Sequence, residues 1–194
     1  MEQSNTNQRI ILGSKSPRRI ELLKLMGFTF EVKKLDVNED YPNSLSPLKT
    51  AIFLSEKKAN SYEIKKNNIL ICADTIVYNK NIMLGKPKSN TDAINMLKQI
   101  SNKRHFVVTA VTFKTFTQQI SFYERSIVYF KKLRAQEIEF YVQNYNPLDK
   151  AGGYGIQDWI GLIGVKKISG SFYNVMGLPT AQVYEIITDL INKK

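Results

Sequence analysis

Apolar positions along the chain fall into short runs that switch between a two-residue and a 3.6-residue repeat, and each switch marks a change of element. Residues 9–13 form a brief apolar run stopped by a glycine, the pattern of a buried strand. Pro17 suits the first turn of a helix, Ile20, Leu22, Leu23, Leu25 and Met26 supply its apolar face, and Gly27 ends it. Residues 28–34 alternate as a second strand. The polar, proline-bearing stretch 36–47 reads as a loop long enough to suggest function. Ser46 and Pro47 then open a helix holding Ile52, Leu54 and Ala59, and 69–78 reads as a central strand broken off at Asn79-Lys80-Asn81. Residues 91–100 repeat at helical spacing. Two β-rich runs, 105–116 and 120–133, follow with Thr117-Gln118-Gln119 between them, a hairpin signal. Residues 135–143 are helical, 145–159 irregular, 162–168 strand-like and 174–191 mainly helix. This alternation predicts an α/β fold with a mixed sheet. No linker or repeat interrupts it, so 1–194 is expected to form one domain, its hairpin-rich middle a second lobe beside a cleft.

Composition narrows the class. At 43% hydrophobic and 23% charged residues the chain is globular, neither disordered nor fibrous. Its longest apolar runs, 69–73 and 160–165, are too short to span a bilayer, and the polar residues 1–9 lack the apolar stretch of a signal peptide. The single Cys72 and single histidine exclude an internal disulfide and a zinc cluster, and fit a reducing cytoplasm. A metal acting here needs oxygen ligands, which points to magnesium or manganese. Twenty-eight Lys and Arg against 17 Asp and Glu favour polyanionic partners, although scattered lysines also read as a solvated exterior.

Three stretches carry candidate chemistry. In Ser14-Lys15-Ser16-Pro17-Arg18-Arg19 a strand gives way to a helix whose N-terminus attracts anions, with hydroxyls and guanidiniums to add donors. A capped, solvated first turn is the plainer alternative, but arginines there oppose the helix dipole unless an anion compensates. In Cys72-Ala73-Asp74-Thr75 a carboxylate sits inside an apolar strand, where a metal, a lysine, an attacking water or nearby backbone must account for it. Lys86 follows between Gly85 and Pro87, either aimed at a phosphate or solvated. From Asp149 to Asp158, Gly152, Gly153 and Gly155 let backbone approach a ligand, and the Gln157 amide can pair with a pyrimidine edge. A flexible surface loop is the alternative there. Neither the P-loop nor the dinucleotide glycine spacing is present.

In this order the stretches closely resemble the Maf family of nucleoside triphosphate pyrophosphatases. The match is carried by the blocks Ile11–Arg19, Cys72–Thr75 with Leu84-Gly85-Lys86-Pro87, Asp149–Gln157, and Asn174-Val175-Met176-Gly177-Leu178-Pro179. The resemblance implies a Maf/ITPase-like fold: an elongated mixed sheet flanked by helices, two lobes around a central cleft, and a homodimer. It implies hydrolysis of a nucleoside triphosphate to monophosphate and pyrophosphate with a divalent cation. Substrate-binding roles then fall on Ser14, Arg18, Arg19 and Gln157. Catalytic roles fall on Asp74, Lys86, Lys58 and Glu39, with Asp74 and Glu39 also holding the metal. Asn38 stands where the family pattern has Asp, and Asn146 where many relatives have Glu. The Gly-Tyr-Gly-Ile-Gln form of the late loop is similar to the branch acting on dTTP and UTP, a house-cleaning activity on the nucleotide pool. Two rivals remain at this level: a basic nucleic-acid-binding module, and a nucleotide-binding regulator of septum formation. The expected partner is the nucleotide itself, with no stable nucleic-acid complex and no membrane.

Overall fold

The structure, a computed structural model, describes residues 8–80 and 82–192. The polar N-terminal segment that argued against a signal peptide therefore lies largely outside the described residues, as does Asn81. Strands β1 (Arg9–Leu12), β2 (Phe30–Val32), β3 (Asn68–Asn79), β4 (Ile82–Leu84), β5 (Arg104–Lys114), β6 (Gln119–Phe130) and β7 (Val165–Ser169) form one sheet. Helices α1 (Pro17–Leu25), α2 (Pro47–Asn60), α3 (Asn90–Ile100), α4 (Ala135–Tyr145), α5 (Trp159–Gly164), α6 (Phe172–Met176) and α7 (Thr180–Asn192) pack around it. Two short 3-10 turns, Pro147–Asp149 and Ala151–Gly153, begin the late loop.

Strand order is β2-β1-β3-β5-β6-β7, with β4 hydrogen-bonded to the far half of β3. The pairs β2–β1 and β1–β3 are parallel and all others antiparallel, so the sheet is mixed as the alternation predicted. One detail of register matters most. β1 covers β3 only from Asn68 to Ile71, and β4 covers it only from Val77 to Asn79. Between them one edge of β3 is left without a neighbouring strand, at the carboxyl end of β1 where α1 begins. Crevices at such strand ends are where α/β sheets take ligands.

Strand alternation distributes the core around this gap. On one face Ile71, Ala73, Val111 and Phe113 pack with α1 and α7 through Leu22, Leu23, Val183 and Ile187, and with Leu178 of the turn before α7. Farther along the same face Val77, Val107 and Val128 pack with α3, α4 and α5 and with Tyr154 and Ile156 of the late loop. These two clusters flank the gap, and Met176 touches both. The opposite face is covered by α2, where Ala59 meets Leu70 and Cys72, and Ala51 meets Val108 and Ala110. Full burial of each Leu, Ile or Val contributes about 1.5–3 kcal/mol, which fixes both groups of helices to one sheet.

Four local expectations shift. The strand expected over 28–34 is confined to Phe30–Val32, because β1 supplies so short a partner. Strand β4 was not foreseen: three residues are too few to show a repeat. The strand-like run 162–168 is helical up to Gly164, with β7 beginning at Val165. Gly161 lets α5 lie against the backbone of Ile156, and Gly164 lets it approach Phe130. The C-terminal helix is broken into α6 and α7 at Gly177-Leu178-Pro179, where Gly177 takes φ 116°.

Candidate active site

Asp74 lies on the uncovered stretch of β3, and its side chain meets α2. Lys58 of α2 places its ammonium 2.5 Å from Asp74 Oδ1 and 2.8 Å from Glu39 Oε1. Lys58 and Asp74 are largely enclosed while Glu39, on the long loop between β2 and α2, is half-exposed. A carboxylate this deep is stable only with a cationic partner, which answers what the strand pattern alone could not. Burial pushes the Glu39 carboxyl up, but hydrogen bonding and charge from Lys58, with the charges of Lys86 and Arg19, hold it below its ordinary range overall.

From the opposite face of the sheet, α1 delivers Arg19. Its Nε donates to the Gly177 carbonyl at 2.8 Å, Nη1 to the Ala73 carbonyl at 2.9 Å and to Ser14 Oγ at 3.4 Å, and Nη2 to Thr75 Oγ1 at 2.9 Å. Arg19 thus ties the β1–α1 loop to the open edge of β3 and to the turn before α7. Its acceptors are themselves pinned. Thr75 Oγ1 shares a 3.0 Å hydrogen bond with Thr109 Oγ1, Thr109 donates to the Asn174 carbonyl, and Asn174 Nδ2 donates to Ser126 Oγ. Burial lowers the Arg19 pKa, with the Asp74 charge opposing, and the guanidinium remains a cation. Most of its donors are spent on the protein, so toward an anion in the cleft it can act mainly through charge. Arg18 differs: among the described residues it has one side-chain partner, Asp149 of the late loop, through Nη1 at 3.0 Å.

The first turn of α1 carries no acidic residue, and Ser16 at its N-cap makes no side-chain capping bond. Instead the Ser16 amide donates to Ser14 Oγ at 3.2 Å. The remaining first-turn amides and the positive end of the helix dipole face the cleft, as an anion site requires.

The late loop forms the other wall. Gly152, at φ 72°, packs so close to Val77 that a Cβ there would lie 2.9 Å from its Cγ1. Tyr141 OH accepts from the Gly155 amide at 2.9 Å and donates to Asp158 Oδ2 at 2.7 Å, and Tyr154 OH meets His105 Nε2 at 2.7 Å. Burial keeps both phenols protonated, raising their pKa values above the ordinary range. These bonds hold the turn that presents Gln157 at the cleft, exposed beside buried Ile156.

All eight candidates named from the sequence, Ser14, Arg18, Arg19, Glu39, Lys58, Asp74, Lys86 and Gln157, line one cleft of about 370 Å³. Lys15, Lys34, Thr75, Asp149 and Lys150 line it too and were not singled out. Lys15, Thr75, Asp149 and Lys150 sit inside the matched blocks, so adjacency was the signal available. The cleft is also lined by more Lys and Arg than carboxylates. Cys72 stays inert behind it, its thiol pushed by burial up to about 12.

Asp74 and Glu39 direct oxygens at a single point, now the Lys58 ammonium. Among the described residues no group of three or more His, Cys, Asp or Glu could hold a metal alone. Two carboxylates do suit a hard cation such as magnesium, which takes its other ligands from water and phosphate oxygens. Asn38 adds nothing there: its side chain hydrogen-bonds Asp40 within the loop.

A concave cleft with this positive excess, opening on a helix N-terminus, defines an anion-binding α/β protein. The sequence pattern of Maf-like protein matches residues 9–190, and the chain belongs to that family. A protein from Flavobacterium johnsoniae named dTTP/UTP pyrophosphatase is 48% identical over 94% of this chain and 95% of its own length. Proteins of the same name from Bacteroides thetaiotaomicron and Christiangramia forsetii are 46% and 43% identical, over 91% and 96% of this chain and 93% and 96% of theirs. Among solved structures, a HAM1 protein from Coxiella burnetii aligns over 94% of this chain and 99% of its own at 12% identity, with a TM-score of 0.47, too low to bear on the fold. No helix among the described residues is long and apolar enough to cross a membrane.

Proposed function

We propose that this chain hydrolyses dTTP and UTP to the monophosphate and pyrophosphate, and so removes nucleotides, modified pyrimidines included, from the pool. The observation that carries this reading is the Asp74–Lys58–Glu39 cluster, set in the gap of the sheet edge and facing the open N-terminus of α1. The relatives named dTTP/UTP pyrophosphatase support the same substrate class.

In this reading the triphosphate lies along the first turn of α1, with Arg18, Lys86 and Ser14 at its oxygens and Arg19 behind them. Gln157 pairs with the pyrimidine edge. Asp74 takes the proton of a water that attacks the α-phosphorus; the new oxygen–phosphorus bond forms as the bond to the bridging oxygen breaks, and pyrophosphate leaves. Lys58 holds Asp74 charged and in place, and with Lys86 offsets the growing negative charge. A divalent cation, magnesium or manganese, held by Asp74 and Glu39 would supply further charge neutralisation at the phosphates. The reading extends to one domain over 1–194, a homodimer, and a cytoplasmic location.

The test is Asp74→Asn. General-base catalysis contributes about 10²–10⁴-fold, so pyrophosphate release should fall by that order while nucleotide still binds. Turnover equal to the unmutated chain would remove Asp74 from this role. The nucleic-acid reading is not favoured, since large aromatics such as Tyr141, Phe113, Phe130 and Tyr154 are buried rather than offered for stacking.

A further inference from the structure

Lys150 is a charged group of the cleft to which the reading above gives no task. It lines the same cavity as Arg18 and Gln157, with its side chain only 13% exposed. Its ammonium lies 2.8 Å from Asp149 Oδ1 and 3.9 Å from Asp158 Oδ2. The first is a hydrogen bond; the second is too long for one. Asp158 Oδ2 is in any case already taken by the Tyr141 hydroxyl. An ammonium carries three N–H donors, so this enclosed lysine keeps hydrogen-bonding capacity that its carboxylate neighbours do not use.

Asp149 holds that ammonium near a second cation. Its Oδ1 accepts from Lys150 while its Oδ2 accepts from Arg18 Nη1 at 3.0 Å, so one carboxylate bridges two cations from opposite walls. Arg18 contributes one nitrogen to the bridge, and among the described residues its Nε and Nη2 donors are left for another acceptor. Burial raises the Asp149 pKa, but hydrogen bonds from Lys150 and Arg18 outweigh it and keep the carboxyl low, as a firm bridge requires. The result is a pair of cleft-lining cations joined through one carboxylate, each with donors to spare, which is the arrangement a polyphosphate recruits.

We propose that Lys150 is a further phosphate-binding residue of this cleft, with Asp149 the positioning carboxylate that holds it beside Arg18. This rests on the phosphate reading of the cleft but not on the nucleotide or the chemistry. A lysine that merely pins the late loop would give the same distances, so the experiment must read ligand rather than fold.

Inorganic tripolyphosphate is the probe, titrated calorimetrically into the full chain without metal. Lys150→Gln keeps a donor for Asp149 but loses the charge, and should weaken Kd about tenfold, the scale of one charge-assisted hydrogen bond. Lys150→Arg should return to within about threefold of the unmutated Kd. A lowered melting temperature with unchanged Kd in Lys150→Gln would overturn the proposal. Should Lys150→Gln fail to fold, the unmutated chain still decides. Tripolyphosphate should slow acetylation of Lys150 severalfold relative to the exposed Lys24, read by mass spectrometry, and an unaltered rate overturns the assignment. If the unmutated chain releases no pyrophosphate from dTTP or UTP, yet Lys150→Gln loses tripolyphosphate, the activity falls and this site stands. Full activity with a Lys150→Gln Kd that does not change overturns the site alone.

Discussion

The two walls of the cleft are held by different chemistry. The Ser14–Arg19 wall depends on one guanidinium, whose partners Ser14, Ala73, Thr75 and Gly177 belong to three separate parts of the chain. The late-loop wall is held from behind by two phenols, those of Tyr141 and Tyr154, and by glycines that allow close backbone approach. A single buried charge makes the first wall rigid and its failure abrupt. Bonds spread over several residues let the second be weakened in portions.

The sharpest way to break this contrast is to exchange the fates of the two neighbouring arginines. Arg19→Met removes hydrogen bonds to several partly buried acceptors at about 1 kcal/mol each, so stability should fall by about 3 kcal/mol. Arg18→Met severs one half-exposed ion pair and should change stability by no more than about 0.5 kcal/mol, while tripolyphosphate affinity drops about tenfold. Urea unfolding and calorimetry of both variants check this, and equal stability losses would erase the distinction between the arginines.

A smaller effect probes the late wall. A Cβ at Gly161 would collide with the Ile156 carbonyl oxygen, backbone that cannot move without Gln157. Gly161→Ala should cost about 2 kcal/mol by overpacking and blur the choice between pyrimidine and purine triphosphates. A variant that melts normally and keeps its selectivity would separate α5 from Gln157 placement.

The smallest is a matter of pH. Burial pulls the His105 pKa from 6.5 down to about 3, so the folded chain holds the ring neutral behind Tyr154. The unfolded chain takes up that proton as pH falls through about 6.5, and the folded chain does so only near 3. The stability from this group is therefore complete above 6.5 and is lost at about 1.4 kcal/mol per pH unit below it. His105→Phe should flatten the loss measured between pH 6.5 and 5, above the range where the carboxylates titrate. The same slope in both proteins would dissociate His105 from the loop's acid response.

The contrast between the walls also explains what the sequence disclosed. Residues such as Asp74 and Arg19 stood out because each breaks a local rule, an acid in an apolar strand and a cation at a helix N-terminus, and only tertiary partners resolve such conflicts. That the sheet is mixed followed from the alternation of strand and helix patterns and from the hairpin signal at Thr117-Gln118-Gln119. By contrast, Thr109, Ser126 and Asn174 look like ordinary polar positions of strand and helix, and only the folded register aligns them behind Thr75. Strand β4 and helix α5 are too short for periodicity to decide, and α5 is settled by Gly161 meeting a backbone distant in structure type though near in sequence. The Asp149 bridge was equally hidden, because Arg18 and Asp149 are separated by 131 residues.

Cleavage at the α-phosphorus is tested most directly by hydrolysing dTTP or UTP in ¹⁸O-enriched water with magnesium and locating the label by mass spectrometry. Water attacking the α-phosphorus leaves unlabelled pyrophosphate and one ¹⁸O in the nucleoside monophosphate. Label in pyrophosphate or orthophosphate, or no release of pyrophosphate at all, would contradict it.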